Sequence, residues 1–239
     1  YTRQMNKMLF YVNLNQNMID LSPKRISAYG IILFVYVTVW ADIILGIPEP
    51  SAFSTAWFIL SFLKNSIRIG FMLYVSSQLS IFANNEWKNL LLHLPTKQEI
   101  TRAFLVTFFS LGFAGIGALA AWFGKLSNPV FEFLPQKPIL SLLPFLLLSS
   151  ISVGYGEELF FRFLLIDALT EVGTTPNTAA IVSMIIFALS HYAQGIFGIA
   201  FAGVLAALYT SLRFRGYGIH SLALGHALYD AAILVFALS

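Results

Sequence analysis

Glu157, Glu158 and Arg162 place three formal charges within six residues of the stretch GYGEELFFRF, which is otherwise apolar. A charge at mid-bilayer costs on the order of 2.5–3.5 kcal/mol even on lenient insertion scales, so such a residue calls for a partner or a purpose. Glu158 and Arg162 lie four apart and share a helical face, where a bidentate pair neutralises both. Glu157 points about 100° away and has no partner in its own helix. A carboxylate so placed is available to take a proton from water and return it. Two further stretches carry chemistry of this kind. In FALSHYAQG, Phe187 and His191 share a face. In LGHALYD, His226 and Asp230 are four apart, so Asp230 either fixes the tautomer of His226 or faces the same cavity.

Each of these sites alone has an ordinary explanation. An intramembrane His often bonds a neighbouring helix, and a Glu–Arg pair often serves as a structural clamp. Three such sites on three apolar segments near one another in the chain are harder to attribute to packing. The remaining histidines, His93 and His220, fall near segment ends and read as interfacial.

The elements that carry these residues must lie in lipid. The chain of 239 residues is 58% hydrophobic and 10% charged, against roughly 25% charged in a soluble domain. Its mean hydropathy is +0.77. The composition predicts an all-α, polytopic transmembrane helix bundle of about seven to eight spans. Apolar segments long enough to cross ~30 Å of hydrocarbon run near 26–47, 52–82, 103–123, 139–170, 177–193, 195–212 and 218–239. The stretch MNKMLFYVNLNQNMI is too polar to cross, and it reads as an amphipathic interfacial helix near the N-terminus. The stretch ANNEWKNLLLHLPTKQEI reads the same way. The expected organisation over 1–239 is a single membrane domain. It comprises an interfacial segment at 1–25, accessory spans at 26–138 and motif-bearing spans at 139–239.

The net charge of +3 does not point to nucleic acid, because the basic residues are scattered between apolar spans and form no stripe. They sort by side instead. With a cytoplasmic N-terminus, Arg3, Lys7, Lys24, Arg25, Lys88, Lys97, Arg102, Arg213 and Arg215 fall inside, and Lys125 and Lys137 fall outside. That bias is the positive-inside pattern. Lys64 and Arg68 share one face of a span, with Asp42 as a candidate partner. There is no cysteine, which excludes disulfides, thiolate metal sites and a cysteine nucleophile. Position 1 is Tyr, and no targeting signal is read from this end.

Several hydrolytic chemistries are absent. No histidine begins an H-E-x-x-H zinc motif, and there is no G-x-S-x-G turn. GYGEE has Glu where a G-x-G-D aspartyl motif needs Asp, and the YD at 229–230 follows it when it would have to precede.

The ordered set E-E-x-x-x-R, F-x-x-x-H and H-x-x-x-(N/D) resembles the CPBP (ABI) family of intramembrane proteases, whose eukaryotic relatives are the CAAX prenyl endopeptidases. The resemblance covers about 139–239. It implies an intramembrane endopeptidase in which Glu157 acts as general base on a water that His191 helps to hold. His226 and Asp230 would stabilise the oxyanion of the tetrahedral intermediate. Glu158, Arg162 and Phe187 would support them. The implied partners are membrane lipid and a peptide or membrane-protein substrate, prenylated or not.

Two positions depart from the family pattern. The best-described members carry Asn where this chain has Asp230. An ionised Asp cannot donate to an oxyanion, so it must be protonated, orient His226 or bind a metal. Many prokaryotic members carry Gly after the Arg, where this chain has Phe163, so the packing around the clamp must differ. Glu157, His191, His226 and Asp230 also form a zinc set by ligand type. The metal-free mechanism, with no cofactor, is preferred, because a carboxylate that binds zinc cannot also serve freely as base.

Two other functions compete with proteolysis. A non-catalytic accessory, immunity or scaffold subunit of a membrane complex would be expected to have lost one of the chemical positions, and all are filled. An ion-coupled transporter would be favoured by an inverted repeat, and none is found. Depth poses one difficulty. At ~1.5 Å per residue, Glu157 and His226 come out toward the cytoplasmic side, whereas His191 comes out near the far side unless its helix starts deeper.

Overall fold

The computed structural model describes residues 30, 50–78, 93–125 and 139–238. Among these residues the fold is all-helical. The long helices are α1 (Thr55–Gln78), α2 (Lys97–Gly124) and α3 (Ile139–Glu158). A π-helical turn, Leu159–Leu164, joins α3 to the short α4 (Leu165–Glu171). Then follow α5 (Pro176–Ser190), a 3₁₀ turn (Tyr192–Gln194), α6 (Gly195–Phe214) and α7 (Ile219–Leu238). The expected N-terminal interfacial helix, the span near 26–47 with Asp42, and most of the second interfacial segment lie outside the described residues.

Among the described residues, five helical stretches are long and apolar enough to cross a membrane: Thr55–Tyr74, Lys97–Gly124, Leu140–Glu171, Tyr192–Phe214 and Ile219–Leu238. They make the chain a multi-pass integral membrane protein. The segment expected as a span near 177–193 is a 15-residue helix. At ~1.5 Å per residue such a helix is shorter than the hydrocarbon core is thick. Local chemistry sets its ends. Thr175 caps it by accepting from the Thr178 amide at 3.2 Å, Pro176 occupies its first turn, and His191 stands just past its last turn.

Helix α7 is the axis of the bundle and packs against α3 and α2, while α1 packs on α3 and α5 on α6. Small residues permit this closeness, as in many membrane bundles. A Cβ on Gly154 would stand 2.5 Å from the Ala223 carbonyl, and one on Gly225 would stand 2.5 Å from Val106 Cβ. Thr107 Oγ1 donates to the Gly225 carbonyl at 3.0 Å and ties α2 to α7 at that contact. The start of α2 is held by a capping box. The Thr96 amide donates to Glu99 Oε2 at 2.8 Å, and the Glu99 amide donates to Thr96 Oγ1 at 3.2 Å. The main core, with Leu159, Phe161, Leu164, Phe187, Tyr209 and Leu222, gathers around the π-turn.

Candidate active site

The last turn of α3 delivers Glu157 and Glu158, the end of α5 delivers His191, and the middle of α7 delivers His226 and Asp230. Glu157, His191, His226 and Asp230 line a single cavity of about 320 Å³, together with Phe187 and Tyr209. The difficulty over depth disappears, because the short α5 carries His191 to the level of the other three.

Glu158 is fully buried, and Arg162 is 1% exposed. Arg162 Nε stands 3.3 Å from Glu158 Oε2, which makes the expected ion pair. Among the described residues, the guanidinium has no hydrogen-bond partner. It lies instead against aromatic faces, with Cζ 4.1 Å from the centroid of Phe187 and 5.5 Å from that of Tyr209. Rings with negative faces stabilise a desolvated cation of this sort.

The other oxygen of Glu158 reaches across to α7, where His226 Nδ1 donates to Glu158 Oε1 at 2.8 Å. An ionised carboxylate can only accept, so this bond puts a proton on Nδ1 and fixes the ring. Asp230 therefore does not set the tautomer through Nδ1. It sits on the cavity side, with Oδ2 at 3.5 Å from His226 Nε2. Glu157 Oε2 lies 3.8 Å from the same Nε2, within charge contact but beyond hydrogen-bond reach. That oxygen has no hydrogen-bond partner among the described residues. Two carboxyl groups thus converge on one ring nitrogen, and a third holds the other, an arrangement that holds together when the ring carries a proton on each nitrogen.

His191 is oriented by its own helix. Its Nδ1 stands 2.9 Å from the Phe187 carbonyl, which can only accept, so Nδ1 carries the proton and Nε2 is left as an acceptor. Phe187 supports two rings at once, at 4.7 Å from His191 and 6.4 Å from His226 between centroids.

Some of the lining had not been anticipated. Tyr209, fully buried, packs 5.3 Å from His226 and shares a 2.9 Å hydrogen bond with Ser110. No motif marks it. Ser150 also lines the cavity, and its position seven residues before Glu157 puts it on the same face of α3, a signal the sequence does contain. Gln194 lies in the 3₁₀ turn just after His191. His220 packs within the protein. It is 4% exposed, with Nδ1 2.6 Å from the Tyr155 hydroxyl and its ring 4.9 Å from that of His93.

Among the described residues, no three His, Asp or Glu side chains are placed to hold a metal ion. Among the described residues, the zinc set of Glu157, His191, His226 and Asp230 does not close to ligand geometry.

Comparison with curated proteins and with solved structures gives no match. Comparison with family models gives one, described as type II CAAX prenyl endopeptidase Rce1-like, over residues 139–232. That interval spans less than half of the chain, yet it contains all three motifs and every group that converges on His226. The second half of this membrane protein therefore carries a domain of the CPBP (CAAX) protease family.

Proposed function

We propose that the chain is an intramembrane endopeptidase, with 139–239 as its catalytic part and the preceding spans as accessory structure. The observation that carries this reading is the convergence of Glu157, His191, His226 and Asp230, from three separate elements, on one cavity.

A water between Glu157 and His191 would donate one hydrogen to the carboxylate and the other to His191 Nε2. Its lone pair is then free to attack a peptide carbonyl, and Glu157 takes the proton as the bond forms. His226 Nε2, protonated, donates to the developing oxyanion, a contribution of about 3–4 kcal/mol in comparable sites. Asp230 holds that N–H in place and supports its charge. Glu157 then passes its proton to the leaving amine. Glu158 and Arg162 anchor the opposite side of His226, and Phe187 braces both rings. No step requires a metal, so chelator treatment is expected to leave the cleavage rate unchanged. Stoichiometric zinc in wild-type protein, lost in Glu157→Ala, would overturn that part of the mechanism.

The cavity adjoins an apolar groove of about 430 Å³ between α2, α6 and α7, and the two share Phe201, Tyr229 and Ile233. The groove suits a substrate with an apolar chain or prenyl group near its scissile bond. The N-terminus is assigned to the cytoplasm, with cleavage near that face, on the distribution of Lys and Arg.

The test is cleavage of membrane-anchored peptide reporters, prenylated and unprenylated, by purified protein in detergent. His191→Ala should lower the rate about 10²-fold or more while far-UV circular dichroism is unchanged. Undiminished turnover by that variant would remove the hydrolytic reading.

A further inference from the structure

Arg213, at the end of α6, grips the π-turn beside the ion pair. Its Nε donates to the Arg162 carbonyl at 2.8 Å, and its terminal nitrogen donates to both oxygens of Asp167 at 3.0 and 3.3 Å. Its Cζ lies 4.1 Å from the centroid of Phe163. All three contacts fall on 162–167, so one side chain holds six consecutive residues. Phe163, the departure from the family pattern, is thereby explained as the face on which this guanidinium rests.

A π-turn needs such a grip. Its wider hydrogen-bond spacing leaves carbonyls without their usual helical partner, and such turns persist where outside groups or function compensate. The Phe161 carbonyl accepts from Ser183 Oγ at 2.5 Å, and the Arg162 carbonyl accepts from Arg213. The second bond has particular leverage. Among the described residues the Arg162 guanidinium makes no hydrogen bond, so the position of the Arg162 backbone governs where its charge meets Glu158.

We propose that Arg213 is a positioning residue. Through the Arg162 carbonyl it keeps the π-turn in the form that holds Glu158 between Arg162 and His226. The proposal rests on the hydrolytic reading for its effect on rate, though not for its effect on geometry.

Arg213→Lys tests this, since an ammonium cannot reproduce the fork that spans the carbonyl and the carboxylate. Arg215→Lys, an exposed neighbour, is the control. The first readout is NMR of isotope-labelled histidine in detergent-solubilised protein. The His226 imidazole resonances should be displaced in Arg213→Lys and unmoved in Arg215→Lys, with His93 unmoved in both. The second readout is reporter cleavage, where kcat should fall about tenfold or more while KM stays within about twofold. Unmoved His226 resonances, or a wild-type kcat in an otherwise active enzyme, would overturn the proposal. Displaced resonances in a chain whose wild type cleaves nothing would sustain Arg213 and remove only the protease reading. Should Arg213→Lys fail to fold, Asp167→Asn decides, because releasing the far end of the guanidinium should displace His226 in the same direction. No displacement there would end the idea.

Discussion

Glu157→Gln should abolish reporter cleavage, lowering the rate by about 10³-fold or more, and leave the unfolding midpoint close to that of the wild type. The substitution keeps the shape of the side chain and removes only the capacity to accept a proton. Little structure depends on that capacity. Glu157 is partly exposed to the cavity, and among the described residues its Oε2 accepts no hydrogen bond and stands 3.8 Å from His226 Nε2. Glu158→Gln offers the contrast, since it disturbs a fully buried group that serves both Arg162 and His226. The two adjacent variants should therefore separate, one dead and stable, the other impaired and destabilised. Rates and midpoints measured on both would decide the assignment. A fast Glu157→Gln beside a slow, stable Glu158→Gln would exchange the roles of the two carboxylates.

Elements with strong apolar patterning were legible from sequence. The expected segments near 103–123, 139–170, 195–212 and 218–239 correspond to α2, to α3 through α4, to α6 and to α7. The fifteen residues of α5 were misread as a span, because periodicity and hydropathy do not distinguish a short apolar helix from one that crosses. The π-turn was invisible for a different reason. Its supports, Ser183 and Arg213, come from elements more than twenty residues downstream, and nothing local to LFFRFL announces them. The motif residues were found because i, i+4 spacing reports contacts within one helix, as for Glu158 and Arg162. The same rule offered Asp230 either as the partner that orients His226 or as a neighbour facing the same cavity. The bond made through Nδ1 crosses from α3 to α7, and helical spacing carries no information about it.

Separating the clamp's structural role from its chemical one requires a double substitution. Arg162→Met alone leaves Glu158 buried without its guanidinium, and Glu158→Leu alone leaves Arg162, which is 1% exposed, without its carboxylate. Removing one partner of a buried pair typically costs about 3–5 kcal/mol, whereas replacing both with apolar groups of similar volume is often neutral or stabilising. Glu158→Leu/Arg162→Met should therefore be more stable than either single variant, with a coupling of at least about 2 kcal/mol in detergent unfolding. Recovery should remain incomplete, since His226 Nδ1 then lacks its acceptor in a buried site, a loss of about 1–3 kcal/mol. Cleavage should not recover at all. With Leu at 158 nothing accepts from Nδ1 to anchor the imidazolium, the ring turns freely, and Nε2 no longer presents a fixed donor to the oxyanion. A rate about 10²-fold or more below wild type is expected in the double variant. Restored cleavage alongside restored stability would mean that the pair merely neutralises itself in lipid and that His226 takes its orientation from elsewhere. Stability recovered without activity is the outcome that makes Glu158 the link between a buried cation and the chemistry of the cavity.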